Sequence, residues 1–162
     1  MAKSNALNWY TIQRYLSSIG MESDLDIELT KRILAQAEFL CPEELKDIFV
    51  SNYKQEDGKE QFKDVWLFSD NYVVEVLNFN KKESPELEMS IFDKNIQDVS
   101  IETKDFDLSK KAKGDSRLHI KFYTFSDFVC DQIAFGSNCD TLKHIYKKYV
   151  KHNIVTLQSR LE

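Results

Sequence analysis

The sequence predicts an α+β fold with an N-terminal helical hairpin, then seven mainly antiparallel strands, then one amphipathic helix. Apolar residues recur at helical spacing over about the first forty residues, alternate with polar residues through the middle of the chain, and return to helical spacing near the end. A length of 162 residues suits one domain, and 12% aromatic residues with only 4 Gly and 2 Pro are typical of an ordered chain. We therefore expect residues 1–162 to form a single domain.

Residues 1–41 are predicted to form the helical hairpin. The apolar stripe of the first helix is Trp9, Ile12, Leu16 and Ile19. Gly20 then provides the left-handed residue that often ends a helix. The stripe of the second helix is Leu29, Ile33, Ala37 and Leu40. Asp24 or Asp26 is expected to cap the second helix, and Pro42 to end it, because proline disfavours helix in the preceding residue.

Residues 45–152 are predicted to form the sheet and the helix that closes it. The expected strands are Leu45 to Tyr53, Phe62 to Phe68, Tyr72 to Phe79, Leu87 to Phe92, Val99 to Thr103, Leu118 to Tyr123 and Phe128 to Phe135. Ser69-Asp70-Asn71 is a tight connection between the second and third strands. The alternation slips between Cys130 and Gln132, which predicts either a β-bulge in the last strand or a turn in place of part of it.

The final helix has the clearest pattern in the chain. Its apolar stripe is Leu142, Ile145, Tyr146, Tyr149 and Val150. Ser137, with Asp140 three residues later, resembles a capping box at the start of a helix that extends to His152. Because the stripe is complete, we expect the helix to pack on an apolar surface.

Seven short strands closed by one C-terminal helix resemble a bacterial pleckstrin-homology-like domain. The hairpin through Ser69-Asp70-Asn71 and the closing helix, Ser137 to His152, carry this resemblance. It implies a partly open barrel built from two nearly orthogonal sheets, with the helix at one end. It also implies binding of phosphoinositides, peptides or other proteins rather than catalysis.

The first strand-turn-strand argues against phosphoinositide binding. Family members that bind phosphoinositides place several Lys and Arg residues in this region. Here the charged residues are of both signs, namely Lys54, Glu56, Asp57, Lys59, Glu60 and Lys63. Because these charges cancel, the resemblance favours a protein or peptide partner.

The second and third strands are apolar on both sides. One predicted side carries Phe62, Trp66, Phe68, Tyr72, Val74 and Val76, and the other carries Val65, Leu67, Val73, Leu77 and Phe79. A sheet with one solvated face would show one polar row. Two covers for the second side are open from the sequence: the N-terminal hairpin, or an interface with a partner chain or a second copy of this chain.

Charge restricts the partners. The net charge of −5 argues against general nucleic-acid binding, which depends on Lys and Arg to neutralise phosphates. Two basic clusters are candidates for an anionic partner or are simply solvated: Lys143, Lys147, Lys148 and Lys151 on the last helix, and Lys110, Lys111 and Lys113 in the preceding loop. Acidic residues such as Asp98 and Glu102 are expected to be solvated and to discourage pairing at sheet edges.

The sequence contains no catalytic motif, cofactor motif or metal-ligand spacing, so we expect no catalytic residues, no cofactor and no metal. Cys139 near the start of the last helix, with His144 five residues later, is the one pairing that resembles a nucleophile and its base. Three cysteines without a C-x-x-C pair favour reduced thiols. With neither a signal peptide nor a long apolar run, the sequence predicts a cytoplasmic protein that is not integral to a membrane.

These patterns favour a non-catalytic intracellular binding or adaptor module that recognises a protein or peptide. Two alternatives are open. One is a ligand-pocket protein or small enzyme on a cystatin-like or nuclear-transport-factor-like sheet, whose mark would be a cavity lined by convergent polar groups. The other is an oligomeric assembly protein, with a homodimer as the simplest case, whose interface is the second apolar side of strands 62–79.

Overall fold

The computed structural model describes residues 7–77, 87–93, 95–125 and 128–154. They form two N-terminal helices, seven antiparallel strands in two sheets and a C-terminal helix, so the predicted α+β class is confirmed. The helices are α1 (Trp9–Ser18), α2 (Asp24–Leu40) and α3 (Asn138–Ile145). The strands are β1 (Asp47–Lys54), β2 (Glu60–Phe68), β3 (Tyr72–Leu77), β4 (Glu88–Asp93), β5 (Ile96–Lys104), β6 (Arg117–Thr124) and β7 (Val129–Phe135). The sheet orders are β1-β2-β3-β4 and β5-β6-β7, and the described residues form no closed barrel.

The chain divides into two compact units. The first consists of Met1–Val50 and Phe62–Ile91 and contains both N-terminal helices and most of the four-stranded sheet. The second consists of Ser51–Gln61 and Phe92–Glu162 and contains the three-stranded sheet and α3. Strands β1, β2 and β4 therefore contribute residues to both units.

Side chains cap both N-terminal helices. Asn8 accepts a hydrogen bond from the amide of the third residue of α1 at 2.9 Å. Ser23 does the same for α2 at 3.1 Å and has the extended backbone of a cap residue. The prediction that Asp24 or Asp26 caps α2 was therefore wrong, because the helix already includes both carboxylates. Gly20 follows α1 with a φ of 83°, the left-handed conformation expected of it.

The N-terminal helices cover one side of the β2–β3 hairpin. The register pairs Val65 with Val76 and Leu67 with Val74. These four side chains belong to the buried apolar core of the first unit. The same core includes residues of both helices, among them Ile12, Leu16, Leu29, Ile33 and Ala37. The predicted hairpin of strands is confirmed, and the helices are the cover of this side.

The predicted assignment of residues to the two sides of the hairpin was wrong. Trp66 lies opposite Glu75, so Val73 shares the side of the aromatic residues and not that of Leu67. The turn sets this register, because the amide of Ser69 donates to the carbonyl of Tyr72 at 3.0 Å. Even-numbered residues of β2 consequently face odd-numbered residues of β3, whereas the sequence interpretation had aligned even with even.

The three-stranded sheet has β6 at its centre, paired with β5 on one side and β7 on the other. Its inward residues are buried as the alternation predicted, and they are Leu118, Ile120 and Phe122. The predicted bulge in β7 was wrong, because β7 keeps a regular register and its buried Gln132 faces the core in step with its apolar neighbours. The irregular step lies in β5, between Ile96 and Asp98.

The C-terminal helix changes type along its length. It is α-helical over α3, continues as a π-helical turn over Tyr146–Val150 and ends in a 3₁₀ turn over Lys151–Asn153. Most of the predicted stripe is buried, namely Leu142, Ile145, Tyr149 and Val150. The wider π turn places two consecutive residues, Tyr149 and Val150, in the interior.

The predicted capping box was wrong. Ser137 makes no capping hydrogen bond and has a helical backbone. The carboxylate of Asp140 instead accepts a hydrogen bond from the amide of Ala112 at 3.0 Å. The first turn of α3 is thereby tied to the loop that precedes β6.

Candidate binding surface along β5

Strand β5 is the last strand on one side of the three-stranded sheet. It pairs with β6, and within the described part of the chain no named strand pairs with residues 98–104 on the opposite side. One isolated parallel bridge joins Ile96 to Ile154 at the start of that side. The chain's own C-terminal segment therefore occupies the start of this edge. An open edge of this length presents a row of backbone donors and acceptors to an added strand.

The inner side of β5 is only partly covered. Val99 and Ile101 lie opposite Phe122 and Ile120, which are buried. Ile101 is nevertheless 38% exposed, and Thr103, the next residue on this side, is also exposed. An apolar row that continues to a sheet edge and stays half-covered leaves apolar area for the side chains of one more strand.

The outer side of β5 carries charge beside two shallow hollows. Its side chains are Asp98, Ser100, Glu102 and Lys104. One hollow of about 310 Å³ is lined by Gln97, Asp98, Tyr123 and Thr124. The other, of about 430 Å³, is lined by Glu102, Thr103, Lys104, Arg117 and His119. Each hollow therefore contains one carboxylate of the edge strand.

His119 lies between two carboxylates on this outer side. Its Nε2 atom is hydrogen-bonded to Oδ1 of Asp131, and its Nδ1 atom is 3.5 Å from Oε2 of Glu102. The side chain of Glu102 is 81% exposed, so most of its carboxylate stays accessible. The sequence alone does not bring these three side chains together, because Asp131 and Glu102 come from neighbouring strands and the pattern of each strand does not define their register.

The opposite edge of the sheet, on β7, is covered. The hydroxyl of Ser51 accepts a hydrogen bond from Ile133 N at 2.8 Å and donates one to Ile133 O at 3.0 Å. The Asn52 side-chain oxygen accepts from Phe135 N at 3.0 Å and from Asn138 Nδ2 at 2.7 Å. Buried side chains of β1 thus satisfy backbone groups at the edge of β7.

The predicted interface residues do not form an exposed surface. Val65 and Leu67 are buried in the core beneath α1 and α2. Val73 is also buried, on the other side of the hairpin, and Leu77 is partly exposed. Phe79 lies outside the described residues. Among the described members of this set, the three valine and leucine side chains at positions 65, 67 and 73 are therefore buried within one chain.

The predicted basic residues divide into one anchored lysine and several solvated ones. Lys143 donates to the carbonyls of Leu108 and Lys110 at 3.2 and 3.1 Å and lies 3.9 Å from Asp140. This lysine therefore ties the loop before β6 to α3. The exposed lysines are Lys147, Lys148 and Lys151 on the C-terminal helix and Lys110, Lys111 and Lys113 in the loop. Their role toward an anionic partner stays a prediction.

Cys139 is an inert thiol. It is fully buried, and its Sγ atom lies 3.4 Å from the carbonyl oxygen of Ser116 and 3.3 Å from that of Ala134. Burial raises the pKa of Cys139 to about 12. A helix start lowers the pKa of a nearby thiol, but here the desolvation of the thiolate outweighs the dipole of one short helix. The pairing with His144 therefore does not form a nucleophilic site.

Two structural findings concern metals and membranes. The described residues include no group of three or more His, Cys, Asp or Glu side chains that could hold a metal ion. Among the described helices, none combines the length and apolar character needed to cross a membrane.

Comparison with protein-family models, curated proteins and solved structures finds no match to this chain. The candidate surface must therefore be judged on its own geometry.

The sequence interpretation did not single out β5 as a binding surface, although the sequence contains a signal for it. The strand has nine residues, of which only Ile96, Val99 and Ile101 are apolar, and it carries charges of both signs. The central strand β2 also has nine residues and three charges, but five of its residues are apolar. A long strand that is poor in apolar residues and interrupted by charges is typical of a sheet edge.

Proposed function

We propose that this chain is a non-catalytic binding or adaptor module whose partner, a protein or peptide, adds an extended segment to the open edge of β5. The observation that carries the proposal is the combination of an edge on which no described strand pairs with residues 98–104 and an inner row that is only partly covered at Val99 and Ile101. In binding by strand addition, main-chain hydrogen bonds supply affinity and alternate side chains supply specificity. The β5 edge offers both.

Two features of the whole chain support the proposal. Sheets of four and three antiparallel strands, followed by a helix, agree with the strand plan of the pleckstrin-homology-like resemblance. Three buried cysteines, Cys41, Cys130 and Cys139, form no disulfide bonds with each other, which supports a role in a reducing compartment such as the cytoplasm.

The observations favour this proposal over a ligand-pocket protein. The hollows beside β5 are open to solvent and lie on the outer side of a strand, whereas a small-molecule site is a concave pocket that encloses its ligand. The Cys139 thiol, which was the candidate nucleophile, is buried and protonated. Pairing of the β5 edges of two copies would be a competing use of the same surface, and the solution mass of the protein tests it.

The test uses an immobilised array of random-sequence nonapeptides, followed by amide chemical-shift mapping of the peptides that bind. Two variants, Ser100→Pro and Ile101→Pro, provide the control. In an antiparallel pair, the backbone groups of consecutive residues point alternately toward and away from the partner strand. One of the two prolines therefore removes a hydrogen bond to β6, and the other removes only a donor from the open edge.

We expect bound peptides to shift amide signals of β5 and β6 in a protein that is monomeric at 19 kDa. The proline variant that keeps the parent melting temperature should lose binding at least tenfold. Peptides that bind only at the lysines of the C-terminal helix would contradict the proposal. So would a concentration-independent dimer whose β5 amides are protected from hydrogen exchange, because the edge would then pair with a second copy.

A further inference from the structure

We infer that residues 155–162 of this chain pair in parallel with β5 and, resting on the proposed function, that a partner segment binds by displacing them. These residues follow Ile154 directly and lie outside the part of the chain that the structure describes. Ile154 itself forms a parallel bridge with Ile96, the first residue of β5. The bridge therefore fixes the place where such pairing begins and the direction in which it runs.

The edge that follows the bridge lies directly ahead of this segment. Within the described part of the chain, no named strand pairs with residues 98–104 on the side of β5 away from β6. Residues of neighbouring parallel strands advance together at about 3.3 Å each, so the residues after Ile154 extend as far as Lys104. Because no loop separates the segment from the bridge, its effective concentration at the edge is high, and weak contacts are enough to hold it there.

The register beyond the bridge depends on an irregular step in β5. The pairing of β5 with β6 shifts between Ile96 and Asp98, so the segment either follows this step residue by residue or slips by one position. A slip by one position would turn every side chain of the segment to the other side of the sheet. The side chains of the segment therefore select the register.

The apolar residues favour the register that follows the step. It places Leu157 beside Val99 and Leu161 beside Thr103, on the inner side of β5. There Leu157 adds to a row that includes Ile101, which is 38% exposed. In the slipped register, both leucines would lie on the charged outer side and polar residues would take the inner row. Burial of apolar area thus disfavours the slip.

The charged residues favour the same register. It places Arg160 beside Glu102 and Glu162 beside Lys104, on the outer side. Glu102 and Lys104 are exposed and line the same shallow hollow, so both can meet a side chain of a neighbouring strand. Strands of one sheet lie about 4.8 Å apart, and opposite charges that lie beside each other at this spacing attract. Two pairs of opposite sign would therefore form, whereas the slipped register has neither.

The pairing makes the segment a built-in competitor of the partner. While it is in place, the segment satisfies the edge of β5 and prevents arbitrary strands from adding there. A partner reaches only the fraction of molecules in which the segment has left, so its apparent affinity falls by that fraction. A partner whose side chains match β5 better than residues 155–162 displaces them, which gives the module selectivity.

The pairing is tested by NMR on the full chain, through contacts between Leu157 and Val99 and through hydrogen exchange of the β5 amides that point away from β6. We expect the parent to show these contacts and slowed exchange at every concentration. Arg160→Glu and Glu102→Arg each place like charges beside each other, so each should speed the exchange roughly 2- to 10-fold. The double variant restores opposite charges and should return to the parent rate. Lys151→Glu, an exposed residue with the same change in charge as Arg160→Glu, is the control and should leave the exchange unchanged.

Displacement is tested with a capped octapeptide of the sequence Val-Thr-Leu-Gln-Ser-Arg-Leu-Glu and with the peptides selected from the array. Both should shift β5 amides and should bind Arg160→Glu more tightly than the parent, by about the factor by which the exchange is faster. Equal affinity for the parent and Arg160→Glu would overturn the competition.

The other outcomes separate the pairing from the proposed function. If the parent shows neither the contact between Leu157 and Val99 nor slowed exchange, the pairing is overturned, and the proposed function stands if array peptides still shift β5 amides. If the pairing is present but no array peptide shifts β5 amides, the proposed function and the displacement are overturned and the pairing stands. If the double variant does not restore slow exchange, the assigned register is wrong. Slowed exchange that is lost on dilution would assign the edge to a second copy of the chain and overturn the inference.

Discussion

The two edges of the three-stranded sheet differ in how their backbone groups are satisfied. On β7, buried side chains of Ser51 and Asn52 form hydrogen bonds with the backbone of Ile133 and Phe135. On β5, a single bridge at Ile96 occupies the start of the edge, and no described strand follows it. Within the part of the chain that the structure describes, side chains of β1 bind one edge, and no named strand pairs with residues 98–104 on the other.

This difference shows that the backbone groups at a sheet edge can be satisfied without a neighbouring strand that pairs along the whole edge. A polar side chain that both donates and accepts can replace a backbone partner, provided that each group it meets is satisfied. The covered edge should therefore be sensitive to loss of a hydroxyl or an amide. The open edge should tolerate the same changes, because water satisfies its groups.

Of the substitutions at the two edges, Asn52→Ala on the covered edge has the largest expected effect. The Asn52 side-chain oxygen accepts from Phe135 N and from the side-chain amide of Asn138, and the substitution removes both hydrogen bonds from a partly to fully buried place. We expect the free energy of unfolding to fall by about 2–4 kcal/mol, measured by urea denaturation. Asn95→Ala, at an exposed site, is the control and should change stability by less than about 0.5 kcal/mol. Equal effects would show that Asn52 does not hold this edge.

A matched pair of serines compares the two edges directly. Ser51→Ala removes a hydroxyl that makes two hydrogen bonds to Ile133, so it should cost about 1–3 kcal/mol. Ser100→Ala removes a solvated hydroxyl from the outer side of β5 and should cost less than about 0.5 kcal/mol. Urea midpoints of the two variants, compared with the parent, provide the measurement. A costly Ser100→Ala would mean that β5 is covered in solution.

The sequence predicted the class, the number and the order of the elements because these depend on local periodicity. It did not predict which residues lie opposite each other in the β2–β3 hairpin, since the register depends on the two-residue turn after Ser69. The irregularity predicted in β7 was also wrong. It arose because the buried side chain of Gln132 interrupts an otherwise apolar inward row. Polar residues that face inward obscure the alternation, because their burial depends on neighbours that are distant in sequence.

The candidate surface was harder to predict than the fold. The acidic residues of β5 were correctly expected to be solvated, but the sequence does not state which strands are edges. Nor could it place Ser51, 82 residues from Ile133 in sequence, at the edge of β7. The two edges differ because of contacts between residues that are distant in sequence. A single sequence does not show which strands are neighbours, so it contains no direct signal of these contacts.

Glu75 in the four-stranded sheet contrasts with Asn52. Its side chain is half-buried, and this burial disfavours the charged form of the carboxyl group. The pKa of Glu75 is raised from 4.5 to about 7, because burial penalises its charged form and Asp64 lies nearby. The folded state therefore holds this proton more tightly than the unfolded state. The stability that the neutral carboxyl provides is fully present below pH 4.5 and is lost as pH rises to about 7.

Glu75→Gln should consequently stabilise the protein above pH 7 and have little effect near pH 4.5. We expect a gain of about 1–2 kcal/mol at pH 8, reduced from the full linkage value because the side chain is partly solvated. Urea denaturation of the parent and the variant from pH 5 to pH 8 measures the difference. Glu38→Gln, an exposed residue of α2, is the control and should show no such trend. A pH-independent effect of Glu75→Gln would contradict the raised pKa.

The smallest effect on stability is expected on the open edge itself. Ile101 and Ile120 lie opposite each other in the β5–β6 register, but Ile120 is buried and Ile101 is 38% exposed. Ile120→Ala should cost about 2–5 kcal/mol, as truncations in a core do, whereas Ile101→Ala should cost less than about 1 kcal/mol. If Ile101 instead serves a partner strand, Ile101→Ala should weaken peptide binding several-fold while the melting temperature stays close to that of the parent. A large loss of stability without a loss of binding would place Ile101 in the core and remove the apolar half of the proposed surface.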